Sequence, residues 1–156
     1  MPVGAYGGRR EIMEMVSPVG AVYQAGTLSG NPVAMAAGIA QLTYLKEHPE
    51  VYTKLNKTSD SFFAELQKIV DESGRGYQVN HICSLGSMFC TTQEVYDYET
   101  AKTSDTKAYA DYCNYMQNHG IYLAPAQFEA MFISAAHTQE QLAQTLETAR
   151  NYFKNK

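Results

Sequence analysis

The sequence predicts an α/β segment followed by a small α+β domain, and three observations predict it. A glycine-containing loop, Tyr23-Gln24-Ala25-Gly26-Thr27-Leu28-Ser29-Gly30-Asn31-Pro32, leads from an apolar extended stretch into an alanine-rich helix. A turn cluster, Asp71-Glu72-Ser73-Gly74-Arg75-Gly76, then divides residues 1–74 from residues 75–156. Beyond it, four short apolar runs with strand character share the chain with two helical patterns, which is an α+β layer arrangement. With 156 residues and 45% hydrophobic composition, the chain can bury one core or two small ones.

Residues 3–6 read as a short buried strand ended by Gly7-Gly8. Residues 9–16 carry Ile12, Met13, Met15 and Val16 near helical spacing, and Pro18 and Gly20 stop that helix. A short extended piece at 21–23 enters the loop. There Asn31 is an N-cap candidate and Pro32 suits the first helical position, because proline has no N–H to leave unpaired. Gly26 and Gly30 permit dihedrals that a β-carbon forbids, and Thr27 and Ser29 bring hydroxyls beside a helix start whose free N–H groups favour an anion. Two readings stand at this point: a phosphate or carboxylate site, or simply a well-capped loop. Residues 32–46 form the clearest helix, with Val33, Ala37, Ala40 and Tyr44 on one face and Met35, Ile39 and Leu42 beside it. Its small early residues would let other backbone approach. After His48-Pro49, a helix over 50–70 carries Leu55, Phe62, Leu66 and Ile69 as one apolar stripe.

Residues 77–84 and 86–91 read as strands, and 93–103 as a polar loop. A helix over 105–118 shows Tyr109, Tyr112, Tyr115 and Met116, with Gly120 placed to be its C′ residue. Residues 121–123 and 131–133 read as two further strands. Thr138 and Gln141 fit a capping box for the closing helix, whose Leu142, Leu146, Ala149 and Phe153 recur at helical spacing. No repeat or low-complexity tract interrupts this order.

Sixteen acidic against twelve basic residues give a net charge of -4 and no basic stripe, which argues against nucleic acid and anionic membrane as partners. Cys83, Cys90 and Cys113 match neither a zinc pattern nor a disulfide framework, so a reducing, cytoplasmic setting is expected. The opening residues lack a signal-peptide pattern, and the most apolar stretch, 32–40, is far short of the ~20 residues needed to span a bilayer. His48, His81, His119 and His137 have no metal spacing, and no G-x-S-x-G elbow is present. His137 stands just before a helix start and is expected to serve local capping. Lys46, Lys54, Lys57 and Lys68 fall on exposed helical positions and none is marked as a catalytic amine. Glu129, in Pro125-Ala126-Gln127-Phe128-Glu129-Ala130, is an acid within a short apolar connection; it either reaches solvent or meets a partner or substrate.

Five blocks in order make the chain recognisable: the opening Met1-Pro2-Val3-Gly4-Ala5-Tyr6-Gly7-Gly8-Arg9, the loop 23–32, Gly86-Ser87-Met88-Phe89, Leu123 to Ala130, and Ser134-Ala135-Ala136-His137-Thr138. Together they resemble the C-terminal part of the class III aminotransferase family, and the later blocks resemble its glutamate-semialdehyde aminomutase branch. The resemblance implies a C-terminal piece of the aspartate-aminotransferase-like fold (pyridoxal-phosphate fold type I). Residues 1–74 would be the end of the large cofactor-binding domain with a linking helix, and 75–156 the small C-terminal domain. It implies pyridoxal 5′-phosphate as cofactor, a homodimer with active sites at the subunit interface, and a small-molecule substrate. Thr27 matches the threonine whose loop meets the cofactor phosphate of the neighbouring subunit, Gly26 keeps that loop close, and Glu129 matches an acidic residue near the substrate pocket. The activity implied is isomerisation of glutamate 1-semialdehyde to 5-aminolevulinate, the tetrapyrrole precursor.

In the family the reactive lysine, the aspartate at the pyridine nitrogen, the ring-stacking aromatic residue and a glycine-serine phosphate loop all precede the stretch matching residues 2–5. The expectation is therefore that this chain holds no catalytic residue, does not bind the cofactor alone and is inactive alone. Other expectations stay open: a class III ω-aminotransferase of another substrate, a non-catalytic piece that self-associates through bared apolar surface, or one half of a split enzyme.

Overall fold

A computed structural model describes residues 3–154, so Met1 and Pro2 of the opening block lie outside the described residues. The chain forms two compact units that meet in sequence at Pro49 and Glu50. The turn at 71–76 lies inside the second unit, because the helix before it packs there.

In the first unit, α1 (Arg10–Met13) is shorter than its sequence pattern. The chain tightens after it through Met15 N–H to Ile12 O and Val16 N–H to Met13 O, each 3.1 Å. It then folds back so closely that a β-carbon on Gly20 would lie 2.1 Å from Met15 O, so only glycine fits. Val16 and Val22 form a single bridge. α2 (Pro32–Glu47) starts as its sequence dictates: Asn31 Oδ1 accepts from Val33 N–H and Ala34 N–H, both at 3.1 Å, with proline at N1. The expected buried strand at 3–6 does not form. Among the described residues no strand lies alongside to pair with it, and Val3 and Tyr6 are exposed. That segment instead reaches α2, where Val3 Cγ1 lies 3.3 Å from the position a Gly38 β-carbon would take. Among the described residues of this unit, Ala34 and Gly38 are the buried ones. Val33, Ile39, Leu42 and Tyr44 of the same helix stay exposed.

The second unit holds a true core. α3 (Glu50–Glu72) buries Phe62, Phe63, Leu66, Ile69 and Val70 on one stripe. β1 (Gln78–Ile82) and β2 (Leu85–Phe89) form a two-residue hairpin whose first turn residue, Cys83, takes φ 49°. β3 (Met131–Phe132) adds antiparallel to β2, with Leu85 opposite Phe132 and Gly86 opposite Met131. The sheet order is β1-β2-β3. α5 (Thr106–Asn118) and α6 (Gln139–Lys154) complete the core with Tyr109, Tyr112, Met116, Leu142, Ala149, Tyr152 and Phe153. The Arg150 guanidinium of α6 pairs with Glu65 and Glu72 of α3, fastening these two helices.

Helix ends follow local chemistry. Thr138 Oγ1 accepts from Gln141 N–H at 3.2 Å while Gln141 Oε1 accepts from Thr138 N–H at 2.9 Å, the reciprocal box. Gly120, at φ 81°, ends α5 with Ile121 N–H on Met116 O and Gly120 N–H on Gln117 O, both 3.0 Å. Two expectations fail here. Residues 121–123 form no strand, since the paired part of β3 begins only at Met131. The region 93–103 is not wholly loop: α4 (Tyr98–Ala101) forms a single turn, set by Asp97 Oδ1 accepting from Thr100 N–H at 2.8 Å.

Candidate functional site

The loop ahead of α2 is a double turn. Ser29 N–H donates to Gly26 O at 2.9 Å, and Asn31 N–H donates to Leu28 O at 3.1 Å. Gly30 needs its glycine, with φ 70°. Gly26 does not adopt positive φ, contrary to the expectation from its sequence; a β-carbon there would lie 3.1 Å from Ser29 Oγ, so glycine keeps the turn tight. Thr27 is exposed at the crest. A concavity of about 600 Å³ opens in front of this loop, lined by Gly26, Thr27, Ser29, Gly30, Tyr6 and Met35 among others.

The helix start itself is not the anion donor its sequence suggests. Val33 and Ala34 N–H are taken by Asn31 Oδ1, Met35 N–H by Asn31 O at 2.9 Å, and Pro32 has none. The N–H groups of Thr27, Leu28 and Gly30 have no partner among the described residues. An anion in the concavity would therefore meet the Thr27 hydroxyl and crest amides, with the α2 dipole behind them.

Glu129 lies in the second unit, on the connection from α5 to β3, and it is exposed, open to solvent or to a bound molecule. Its own N–H donates to Ala126 O at 3.1 Å, closing a turn, and Ser87 Oγ donates to its carbonyl at 3.4 Å. The buried polar residue of this connection is Gln127, 4% exposed. Gln127 Nε2 donates to Met88 O at 2.7 Å and Gln127 Oε1 accepts from Cys90 N–H at 3.3 Å. At the connection's other end, Ala124 O accepts from Tyr109 Oη at 2.9 Å and from Cys113 Sγ at 3.4 Å. Burial, with Asp105 nearby, pushes the Cys90 thiol up to about 12, and burial likewise raises the Tyr109 phenol. Both groups are neutral near pH 7 and act as packing and hydrogen-bonding groups, not as acids or bases. A cleft of about 430 Å³ between the hairpin and α4 is bordered by Ser87, Phe89, Tyr96, Tyr98 and Ala130.

The remaining candidates are local. His137 Nδ1 accepts from Ser134 N–H at 2.9 Å, as a turn residue. His81 stacks on Phe63 and meets Asp60 at 3.1 Å, and His119 meets Tyr115 O at 2.7 Å. Lys46, Lys54, Lys57 and Lys68 are exposed. Among the described residues, no group of acidic, histidine and cysteine side chains could hold a metal, and no helix is long and apolar enough to cross a membrane. Sequence reasoning missed Gln127, Tyr109 and Cys113 as anchors; a glutamine two residues before a glutamate in an apolar run is the signal that could have found the first.

A family model described as aminotransferase class-III matches residues 1–151. The chain is 59% identical over 155 residues to glutamate-1-semialdehyde 2,1-aminomutase 1 of Lachnoclostridium phytofermentans, covering 99% of this chain and 36% of that relative. It is 56% identical over 146 residues to glutamate-1-semialdehyde 2,1-aminomutase of Alkaliphilus oremlandii, covering 94% of this chain and 33% of that one. The chain thus spans about a third of the length of these curated relatives. Among solved structures, a β-phenylalanine aminotransferase from Variovorax paradoxus superposes with TM-score 0.81 at 24% identity over 96% of this chain and 34% of its own. An ω-transaminase from Sphaerobacter thermophilus superposes with TM-score 0.74 at 19% identity over 95% and 34%. At these identities the likeness gives the transaminase fold.

Proposed function

The chain belongs to the class-III aminotransferase family, and from that premise we propose that it supplies the phosphate-facing loop and the small domain of an enzyme that isomerises glutamate 1-semialdehyde to 5-aminolevulinate. The carrying observation is identity of 51–60% to proteins named for that reaction, over nearly the whole of this chain. Pyridoxal 5′-phosphate, when bound, provides the electron sink that lets an amino group move between neighbouring carbons.

The residues fit the phosphate of that cofactor. Thr27 Oγ1 and the crest amides would hold its phosphate by donating hydrogen bonds to it. Gly30 turns the chain without strain, and the Asn31 cap holds the loop against α2, so little ordering is left for binding to supply. This loop serves the cofactor of a neighbouring subunit, so the functional unit is a homodimer. Glu129 presents a carboxylate to the amino groups of the substrate, orienting them by charge-assisted hydrogen bonds. The first unit ends the large domain, α3 links, and residues 75–156 form the small domain.

The test is a chimera in which this chain replaces the matching third of the Lachnoclostridium phytofermentans relative. It is expected to convert glutamate 1-semialdehyde to 5-aminolevulinate without an external amine donor. A folded chimera that instead needs an external amine and keto acid would make the protein an ω-aminotransferase, and one with neither activity would overturn the assignment.

A further inference from the structure

β2 runs on past the end of its pairing with β3. Leu85 and Gly86 have partners in Phe132 and Met131, but Met88 O and Cys90 N–H, further along the same edge, have no strand beside them among the described residues. The Gln127 side chain takes both at once, donating to Met88 O at 2.7 Å and accepting from Cys90 N–H at 3.3 Å. Bonding to residues i and i+2 of one strand is what the backbone of a parallel neighbour does, so this amide stands in for a strand residue opposite Phe89. Gln67 does the same on the other edge, accepting from Val79 N–H at 2.7 Å and donating to Tyr77 O at 3.3 Å. The difference lies in what carries each amide. Gln67 sits on the long helix α3, whereas Gln127 sits on a connection whose neighbours Phe128 and Glu129 are exposed.

Resting on the substrate-facing reading of Glu129, we propose that Gln127 is a positioning residue: its buried amide fixes the 124–130 connection to β2 and so holds the Glu129 carboxylate in one place. Three tethers converge on that connection, namely Tyr109 and Cys113 on Ala124 O, Gln127 on β2, and Ser87 on Glu129 O. Gln127 is the one whose side chain is buried within the connection itself. The turn that closes beside it, Glu129 N–H to Ala126 O at 3.1 Å, includes Gln127, and Glu129 is exposed at its end. Gln127→Met keeps length and volume but removes both bonds.

The first measurement is amide hydrogen exchange on the whole 156-residue chain. Gln127→Met is expected to speed exchange at Cys90, whose N–H Gln127 holds, and at Glu129, whose N–H closes the turn, by about tenfold or more while the α3 and α5 amides keep their protection. Unchanged exchange at Glu129, or a global loss of protection that would make Gln127 a core residue, overturns the inference. Gln127→Glu, which sets a carboxylate oxygen against the Met88 carbonyl in a buried place, is expected to speed exchange at least as much as Gln127→Met. The second measurement uses the chimera described above. There Gln127→Met is expected to raise KM about tenfold with a smaller change in kcat, and to add nothing once Glu129 is already glutamine. A full, additive effect in the Glu129→Gln background overturns the link to Glu129. If the chimera lacks activity altogether, the functional reading fails while the exchange result still decides the tether.

Discussion

Replacing Gly86 with alanine would place a methyl carbon 2.3 Å from Cε1, 2.4 Å from Cζ and 2.9 Å from Cδ1 of Phe63. Carbon atoms in good contact lie about 3.5–4.0 Å apart, so the ring and strand would have to separate by more than about 1 Å. The ring has nowhere to go. Phe63 is 1% exposed, meets Phe62 edge-on at 5.3 Å, and is stacked under His81 at 5.0 Å. Overpacking of this kind costs about 1–3 kcal/mol, and the stiffer unfolded chain returns only about 0.5–1 kcal/mol. Gly86 has no positive φ, so the backbone does not confuse the result. The net expectation is a loss of about 1–2 kcal/mol, read from urea unfolding followed by far-ultraviolet circular dichroism. Phe63→Leu vacates the ring's space, so the double variant should be more stable than the sum of the two single losses predicts. Gly86→Ala within about 0.5 kcal/mol of the parent, or strict additivity in the double variant, would refute the claim that β2 lies against α3 through this ring.

Asn31→Ala removes the cap from two amides of α2 and should cost about 0.5–2 kcal/mol, seen as faster exchange at Val33 and Ala34, while Asn31→Asp should be close to neutral. Cys83 should alkylate readily at pH 8, whereas Cys90 should react only on unfolding, as mass mapping of the labelled chain would show. Because the Cys90 thiol is raised from 9.0 to about 12 in the folded state, its contribution to stability is full below pH 9 and is lost as pH rises towards 12. Cys90→Ala should therefore flatten the alkaline limb of the unfolding profile. Thr100 donates to Asp97 and lowers its carboxyl, so the α4 cap is present at neutral pH and is lost as pH falls through the carboxylate range; Thr100 amide exchange should rise there.

What the sequence made legible was what is decided within a few residues. Asn31-Pro32 starting α2, Thr138 with Gln141 starting α6, and Gly120 ending α5 each depend on bonds spanning five positions or fewer. The stripes of α3 and α6 were legible because one buried face imposes its period on the residues. Strand identity was less so, since residues 3–6 and 121–123 have strand-like composition and no neighbour among the described residues to pair with. α4 was hidden because a single turn has no period and rests on Asp97 and Thr100 alone. At 26–30 the glycines and the Asn31-Pro32 start are legible as a turn before a helix, but the donors are not: the cap that marks the helix start also consumes the amides there. Around Glu129, sequence drew attention to the carboxylate in an apolar run. The turn at 126–129 instead exposes the acid and buries the neighbouring amide.

The account turns on Thr27 as a phosphate contact, and the affinity of the chimera for pyridoxal 5′-phosphate tests that most directly. Thr27→Val keeps the shape and removes one hydrogen bond to a charged group, about 1.5–3 kcal/mol, so the dissociation constant should rise about tenfold to a hundredfold, with Thr27→Ser near the parent. An unchanged dissociation constant in a folded Thr27→Val chimera would contradict the account.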